Sequence, residues 1–522
     1  PTYSGELMQA LKSIPSFVLV TDLRNLFDPA TGIYSNAGND GRAWERPASI
    51  ELIRNDGIEG FQANCGVRIR GGFSRSGDNP KHAFRLFFRA EYGVGKLRYP
   101  LFGNDGADVF DAIDLRTFQN YSWSFQGDSR GVFFRDQFSR DAQLDLGHQA
   151  ERGNYYHLFI NGQYWGIFNT CERPEASYGE TYYGGNKDDF DVIKVEAGPY
   201  EINATDGNLE AWSSLYTALR ATPVTDTTYL RLQGLNPDGT VNPTYPPLID
   251  VDNLIDYMLV IFFGGNLDAP ISWFLGESSP NNFYGLRDRT GRSGGFKFFA
   301  HDAEHTLLDV TQNRTGPFPA GSSSITKSNP QYFFQRLATL PEFRLRIADR
   351  AHRAFFNGGP LTPEANRARV ARRTNEIFSA VVLESARWGD SKRSTPFTRN
   401  NEWRTEVNRI MGSYFNQRSS TVLGQLRSKG WYPTVVAPTF SQHGGPFDRG
   451  STITITAPAG AIYYTTDGSD PRLSGGEPAA TARVYSTPVA LLENTRLQAR
   501  VRSDAGVWSA LNSADFELNQ NW

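Results

Sequence analysis

The sequence predicts an α+β protein in which a large mixed domain precedes a small all-β domain. The first 200 residues consist of short β-like runs separated by Gly, Asn and Asp turns. Amphipathic helical patterns then dominate as far as residue 432, and short β runs return from residue 437. At ~150 residues per domain, a chain of 522 residues has room for all three parts. We therefore divide it into residues 1–200, 201–432 and 437–522.

Composition excludes two classes of protein. The 53 Lys and Arg residues oppose 56 Asp and Glu residues, a net charge of −3, so no global positive field favours a nucleic-acid partner. The longest apolar runs, such as Tyr257 to Phe263, are much shorter than the ~20 residues of a membrane-spanning helix. We expect no membrane span and no nucleic-acid partner. The only cysteines, Cys65 and Cys171, are either two small buried residues or one disulfide bond.

The first 200 residues predict an antiparallel sheet with one helix interposed. Asn161-Gly162 is a hairpin turn signal between two of the strand-like runs. Phe133 to Leu146 carries apolar residues at helical spacing and ends before Gly147. The strand-like runs are Ser16–Thr21, Val67–Arg70, Ala83–Phe88, Tyr155–Ile160 and Tyr164–Phe168.

The middle part predicts helices. Leu209 to Leu219 and Leu248 to Phe263 are followed by three Arg-rich amphipathic segments, at residues 330–355, 361–388 and 400–429. Because acidic residues are interleaved with the arginines, solvated helix faces are the simpler interpretation, and a basic groove is the alternative. The C-terminal β runs have the spacing of a small sandwich.

One local motif fits a zinc protease. His301-Asp-Ala-Glu-His305 matches the H-x-x-E-H signature, which requires both histidines on one face of a helix. The motif instead follows Gly295 to Ala300, a strand-like run. This setting disfavours the protease and leaves it as a minor alternative.

An acidic residue after a strand fits phosphoryl transfer better. That chemistry uses carboxylates on a metal ion, a lysine on the phosphates and an aspartate at the acceptor hydroxyl. Asp302 follows the strand-like run, Asp268 lies on a polar turn after a helix, and Lys81 follows the glycine-rich stretch Arg70 to Pro80. Each aspartate is otherwise an ordinary helix cap or turn residue.

Several blocks in the same order resemble the spore coat protein H (CotH) kinase family over roughly residues 15–430. The resemblance implies a secreted or cell-surface, atypical two-lobed protein-kinase-like fold that transfers phosphate from ATP to a protein substrate with Mg²⁺ or Mn²⁺. The blocks are Gly66–Arg75, Pro80–Leu86, Leu158–Phe168 with Glu172, Gly265–Asp268, Phe298–Asp302 and Glu384–Gly389.

The resemblance also implies residue roles. Asp268 would be the catalytic base, and Asp302 the metal ligand, with Glu304 as a second acidic ligand. Residues implied at the ATP are Lys81, Arg70, Ser74 and Glu172.

This chain departs from the family in two places. Family members commonly carry Asn shortly after the catalytic Asp, whereas here the nearest candidates, Asn281 and Asn282, lie beyond a longer loop. Either the loop folds back to deliver one of them to the metal, or the site is crippled. Lys81 also has no evident glutamate partner in the helix predicted over Phe133–Leu146.

The C-terminal part resembles the chitobiase/β-hexosaminidase C-terminal domain, an immunoglobulin-like sandwich often appended to secreted bacterial enzymes. The matching residues are Ile462 to Pro471, with Tyr485 and Pro488. Asp467 and Asp470 in this stretch suit Ca²⁺, although plain turns are the simpler interpretation. The main alternative to a kinase is a catalytically inactive kinase-like scaffold with an extracellular-matrix or cell-surface partner.

Overall fold

A computed structural model describes residues 3–104 and 106–519 of the protein. Its first part is built around a closed seven-stranded barrel in the order β1-β2-β3-β4-β7-β9-β8. The strands up to this point are β1 (Ser16–Val20), β2 (Arg46–Ile53), β3 (Phe61–Arg70), β4 (Ala83–Phe87), β5 (Leu97–Arg98), β6 (Val109–Phe110), β7 (Ala112–Arg116), β8 (Tyr155–Ile160) and β9 (Gln163–Cys171). The helices are α1 (Leu7–Leu11), α2 (Leu23–Phe27), α3 (Arg135–Asp145) and α4 (Ala176–Tyr183).

The predicted strands and the helix α3 are confirmed, but the expected antiparallel sheet is wrong in two respects. The sheet closes on itself, and β1 pairs with β8 in parallel. Alternation of apolar residues identifies the strand face that meets the core, but it carries no information on which edges join. The Asn161-Gly162 turn is confirmed, because Ile160 and Gln163 pair across it.

A second, four-stranded sheet follows in the order β11-β10-β12-β13. Its strands are β10 (Phe190–Glu196), β11 (Glu201–Asp206), β12 (Phe283–Asp288) and β13 (Lys297–Ala300). The remaining helices are α5 (Glu210–Arg220), α6 (Asp226–Leu232), α7 (Val251–Gly264), α8 (Pro330–Leu337), α9 (Pro341–Phe355), α10 (Pro363–Ile377), α11 (Val381–Trp388), α12 (Arg404–Arg409) and α13 (Phe415–Ser428). None of the helices in the described ranges combines the length and apolar composition needed to cross a membrane.

Helix α7 lies at the centre of the largest core, because it is apolar on nearly every face and almost wholly buried. The prediction that the arginines of the Arg-rich helices lie on solvated faces is only partly correct. Arg418 is fully buried and donates to the carbonyls of Phe262 and Phe263 at the C-terminal end of α7. The last carbonyls of a helix lack the usual partner one turn ahead, so the buried guanidinium helps to satisfy them, together with the Gly265 N–H at Phe262 and the Tyr414 hydroxyl at Phe263.

The C-terminal part is β-rich, as predicted, with one five-stranded and two two-stranded sheets. Its strands are β14 (Thr439–Phe440), β15 (Gly445–Phe447), β16 (Thr452–Ile453), β17 (Ile455–Thr456), β18 (Ala461–Thr465), β19 (Arg483–Val484), β20 (Val489–Ala490), β21 (Thr495–Arg502) and β22 (Asn512–Leu518). It docks on α9, where Arg500 forms a bidentate ion pair with Asp349, both distances being 2.7 Å. Arg472 forms a second bidentate pair with Glu342.

Candidate functional site

A cleft of about 480 Å³ opens between the outer face of the barrel and the four-stranded sheet. One side of this cleft carries Asp268, Asn281, Asn282 and Asp302. The other side carries the glycine-rich segment 70–75 and several cationic side chains. Four residues that the sequence assigns to catalysis or metal binding therefore share one cavity.

Asp268 is a half-buried carboxylate held by three side-chain donors. Ser272 donates to Oδ1, and the amides of Asn281 and Asn282 each donate to Oδ2 at 3.0 Å. Burial raises the pKa of Asp268 above its ordinary value, and these hydrogen bonds oppose the rise. A carboxylate that is fixed in position and more basic than usual is suited to accept a proton.

The loop after Asp268 folds back on itself. Ile271 and Pro280 form an antiparallel bridge, and the backbone N–H of Asn281 donates to the carbonyl of Pro270 at 3.0 Å. The sequence left open whether this loop folds back or leaves the site incomplete, and in the structure the loop folds back to the site. It delivers both asparagines to the carboxylate.

Strand pairing brings the two halves of the site together. Asn282 immediately precedes β12, and Asp302 closely follows β13, with Phe283 and Ala300 paired between these strands. Because antiparallel neighbours place the start of one strand beside the end of the other, the two residues meet. The Asn282 amide also lies 3.3 Å from the Asp302 carbonyl oxygen.

Asp302 is paired with a buried arginine. Arg116, the last residue of β7, donates to Oδ1 of Asp302 and forms a further ion pair with Asp136 at 3.3 Å. Although burial opposes it, the charge of Arg116 is the main reason that the pKa of Asp302 is held well below its usual range. Asp302 therefore stays ionised at any physiological pH.

Glu304 lies behind this pair and does not line the cleft. Its carboxylate accepts from the backbone N–H of Asn120 at 2.8 Å, and it is 3.8 Å from Arg116. Burial raises the pKa of Glu304, with the Asp302 charge adding to the rise. In this arrangement Glu304 holds the segment after β7 in place by a hydrogen bond to its backbone. The role of Glu304 as a second metal ligand stays a prediction.

The oxygen atoms of the cleft are of the kind that a hard divalent cation prefers. Within the described residues, no group of three or more His, Cys, Asp and Glu side chains is gathered as a metal site. Besides burial, the charge of Asp302 nevertheless raises the pKa of Asp268, so the two carboxylates share a negative field that a cation would relieve. The amides of Asn281 and Asn282 donate to Asp268, and each amide also carries a neutral oxygen. The donor set fits Mg²⁺, Mn²⁺ or Ca²⁺.

The glycine-rich segment forms the rim of the cleft on the barrel side. Gly71 has φ +116°, and a Cβ there would lie 1.8 Å from the Ser74 hydroxyl, so only glycine fits. Arg75 Nε donates to the Gly71 carbonyl at 2.6 Å, which fixes the turn. Arg70 lines the cleft and pairs with Asp114, Nε to Oδ2, at 3.0 Å.

Lys81 does not line the cleft. Its side chain is 0% exposed, and its ammonium donates to Oε1 of Glu384 at 2.6 Å and to the Ile167 carbonyl at 2.8 Å. The glutamate partner that the sequence did not reveal thus comes from α11. Gly166, with φ +128°, makes room for this pair, since a Cβ there would lie 2.7 Å from Glu384 Oε2 and 2.8 Å from Lys81 Nζ.

Glu172 is also away from the cleft. It is buried at the end of the barrel, accepts from the Tyr182 hydroxyl, and accepts from the backbone N–H of Arg152 at 2.9 Å. Burial raises the pKa of Glu172 from 4.5 to about 7. A direct contact between Glu172 and a nucleotide stays a prediction, and its observed contacts are with the protein.

The histidines of the protease motif point to different partners. Residues 301–306 form bends and irregular chain, with no helix among them. His301 Nδ1 contacts Glu151 at 2.7 Å, and His305 Nδ1 contacts the Tyr121 hydroxyl at 2.8 Å. The zinc-protease alternative is therefore wrong. Cys65 and Cys171 are both free and buried, so the disulfide alternative is also wrong.

Comparison with protein families adds independent evidence. The model of the CotH kinase protein family matches residues 67–422, a span that contains every residue of the cleft named so far. The chain belongs to the CotH kinase protein family. A second model, Fn3 associated, matches residues 452–516, while the finer likeness to a chitobiase C-terminal domain stays a prediction. No curated protein matches the chain.

Three residues of this CotH-family site escaped the sequence argument. Arg116 meets Asp302 across 186 positions of the chain, and Glu384 meets Lys81 across 303. Neither contact leaves a periodic signal. Lys194 lies in strand β10, whose sequence carries no motif, and it lines the cleft as well. The block Glu384 to Gly389 carries part of the family resemblance, but nothing in the sequence connects it with Lys81.

Proposed function

We propose that the chain is an atypical protein kinase that transfers the γ-phosphate of ATP to a hydroxyl group of a protein. One observation carries the proposal: Asp268 and Asp302 face a single cleft whose opposite side carries cationic side chains. Phosphoryl transfer depends on positioning and charge neutralisation, and this arrangement of charges supports both.

In the proposed reaction Asp268 acts as general base. The acceptor oxygen forms a bond to the γ-phosphorus, the bond from that phosphorus to the ADP oxygen breaks, and Asp268 takes the acceptor proton. Ser272, Asn281 and Asn282 hold the carboxylate in place, while burial makes it more basic. Release of ADP and of that proton restores the enzyme.

Asp302 is the proposed metal ligand, together with the amide oxygens of Asn281 and Asn282. A bound Mg²⁺ or Mn²⁺ would neutralise phosphate charge as it develops. Arg116 keeps Asp302 ionised, and so available to a cation, at all relevant pH values. The low pKa thus supports the proposed role.

The proposal includes a two-lobed, protein-kinase-like arrangement in which the barrel and the second sheet enclose the nucleotide. A buried lysine–glutamate pair such as Lys81–Glu384 is a feature that active protein kinases need. Secretion or display at the cell surface, and a protein substrate, belong to the proposal through the family resemblance alone.

A second candidate is an inactive kinase-like scaffold that acts as an extracellular structural or adhesion protein. The observation that favours it is the full burial of Lys81, whose ammonium is occupied by Glu384 and a backbone carbonyl. If no other cation holds the phosphates, the cleft lacks a part of the kinase machinery.

Incubation of the protein with labelled ATP and Mg²⁺ or Mn²⁺ decides between them. We expect the wild type to transfer label to itself or to a basic test protein. The variant Asp302→Asn should abolish this transfer, and Asp268→Asn should slow it by ~10²–10⁴. Asp309→Asn, an exposed aspartate outside the cleft, is the matched control. Transfer by the wild type no faster than by Asp302→Asn, with all variants folded, overturns the kinase and leaves the scaffold.

A further inference from the structure

The barrel side of the cleft carries more positive charge than its own carboxylates neutralise. Asp114 is shared by three arginines, with closest N–O distances of 3.0 Å to Arg70, 2.6 Å to Arg85 and 3.5 Å to Arg173. Glu175 also forms ion pairs with two of these arginines, at 2.7 Å from Arg173 and 3.8 Å from Arg85. Three guanidinium groups are thus paired with two carboxylates, and all three arginines line the cleft.

Lys194 adds a fourth positive charge to this cluster. It lies in β10 and lines the cleft, and no carboxylate in the described part of the chain is within ion-pair distance of its ammonium. Burial lowers the pKa of Lys194, and the neighbouring charges of Arg173, Arg85 and Arg70 lower it further, against the opposing effect of Glu175. An anion beside this half-buried lysine and the three arginines would keep the lysine charged and reduce the repulsion among the four cations.

The cluster is continuous with the carboxylate side of the cleft. Lys194 pairs in register with Tyr284, whose ring lies 4.9 Å from the ring of His301 and 5.7 Å from the Arg173 guanidinium. His301 directly precedes Asp302, and the charge of Arg70 also acts on Asp302. An anion held by the cluster would therefore extend toward the proposed metal ligand.

The chemistry of the cluster favours a polyphosphate. Arginine forks match the paired oxygens of phosphate groups, and a lysine acts as a point charge beside them. Several adjacent cations require a ligand with several adjacent negative charges, and a cavity of about 480 Å³ accepts a compact anion.

We propose that Lys194, together with Arg70 and Arg173, binds the phosphate chain of the nucleotide, and that Lys81 does not. This inference rests on the proposed function, since it names the residues that would hold the phosphates of ATP. Lys81 is excluded by position, because it is 0% exposed and committed to Glu384 and the Ile167 carbonyl. Lys194 supplies the cation whose absence would otherwise favour the scaffold.

Calorimetric titration of the full chain with inorganic tripolyphosphate tests this assignment without any turnover. We expect Lys194→Gln to weaken binding about 10- to 100-fold, as for a lost hydrogen bond to a charged group. Lys194→Arg should retain most of the affinity. Lys187→Gln, which removes an exposed lysine near the same strand, is the charge-matched control and should bind like the wild type.

The outcomes separate this inference from the proposed function. Tripolyphosphate binding that depends on Lys194, in a protein that transfers no phosphate, supports the binding assignment and overturns the kinase alone. Phosphate transfer by a wild type whose tripolyphosphate affinity is unchanged in Lys194→Gln overturns the assignment alone. An undetectable affinity of the wild type, or an equal loss in Lys187→Gln, also overturns the assignment.

Discussion

Lys81 and Lys194 lie in two regions that handle a buried positive charge in opposite ways. The region around Lys81 supplies its own anion: Glu384 is 2.6 Å away, and Gly166 lacks a side chain where one would collide with the pair. The region around Lys194 gathers three arginines and only two shared carboxylates. A charge matched within the chain can remain buried in the folded protein, whereas an unmatched charge at a cavity is available to a ligand.

The largest effect that this comparison predicts follows removal of Glu384. Glu384→Ala leaves Lys81 buried without its anion, and we expect a loss of ~3–5 kcal/mol in the free energy of unfolding. Chemical denaturation of the full chain measures it. The double variant Lys81→Met/Glu384→Leu removes both charges and should recover most of the loss. A single variant as stable as the wild type would contradict the structural role assigned to this pair.

A smaller effect is expected at Gly166. Both Gly166 and Gly162 have positive φ in the β8–β9 hairpin, but a Cβ at Gly162 would meet nothing within 4 Å. Gly166→Ala should therefore cost roughly 1–3 kcal/mol more than Gly162→Ala, because only the former crowds Lys81 and Glu384. Denaturant midpoints of the two variants provide the comparison. Equal losses would show that backbone strain alone accounts for Gly166.

The last effect concerns Glu172, whose ion pair with Arg152 is long, at 3.7 Å. Its pKa rises from 4.5 in the unfolded chain to about 7 in the folded protein. Between these values the folded protein retains a proton that the unfolded chain has released, so stability falls as pH rises from about 4.5 through about 7. At ~1.36 kcal/mol per pKa unit, we expect stability to fall by roughly 2–3 kcal/mol between pH 5 and pH 8.

The matched variant for this effect is Glu172→Gln, which cannot ionise. Unfolding free energies of both proteins at pH 5 and pH 8 isolate the contribution of Glu172, since every other titrating group is common to both. The difference between wild type and variant should change with pH in favour of the variant at pH 8. Parallel pH profiles would refute the elevated pKa.

The elements of the site that depend on local sequence could be predicted, and those that depend on distant pairing could not. Asp268 and Asp302 were identified from a turn after a helix and a position after a strand, which are local patterns. Asn281 and Asn282 were named as candidates, but only the folded loop shows that both reach Asp268. Arg116 carries no local signal, because its partner Asp302 is 186 residues away.

The same distinction applies to the fold. Strand alternation and helical spacing located most elements, since each pattern records burial of one face. Closure of the barrel depends on hydrogen bonding between the edges of β1 and β8, which no residue pattern encodes. Docking of the C-terminal part on α9 likewise rests on single charged pairs such as Arg500 with Asp349. Such pairs resemble ordinary surface charges in the sequence.

The pairing of Lys81 with Glu384 has a consequence for synthesis of the chain on the ribosome. The two residues are separated by 303 positions, so Lys81 emerges ~15–60 s before its partner at ~5–20 residues per second. Once β9 has emerged, all the barrel strands are present, but the lysine they enclose still has no carboxylate to neutralise it. A nascent chain that ends before α11 should therefore remain an incompletely packed chaperone client. We expect the first half of the molecule to reach its full stability only after α11 has emerged.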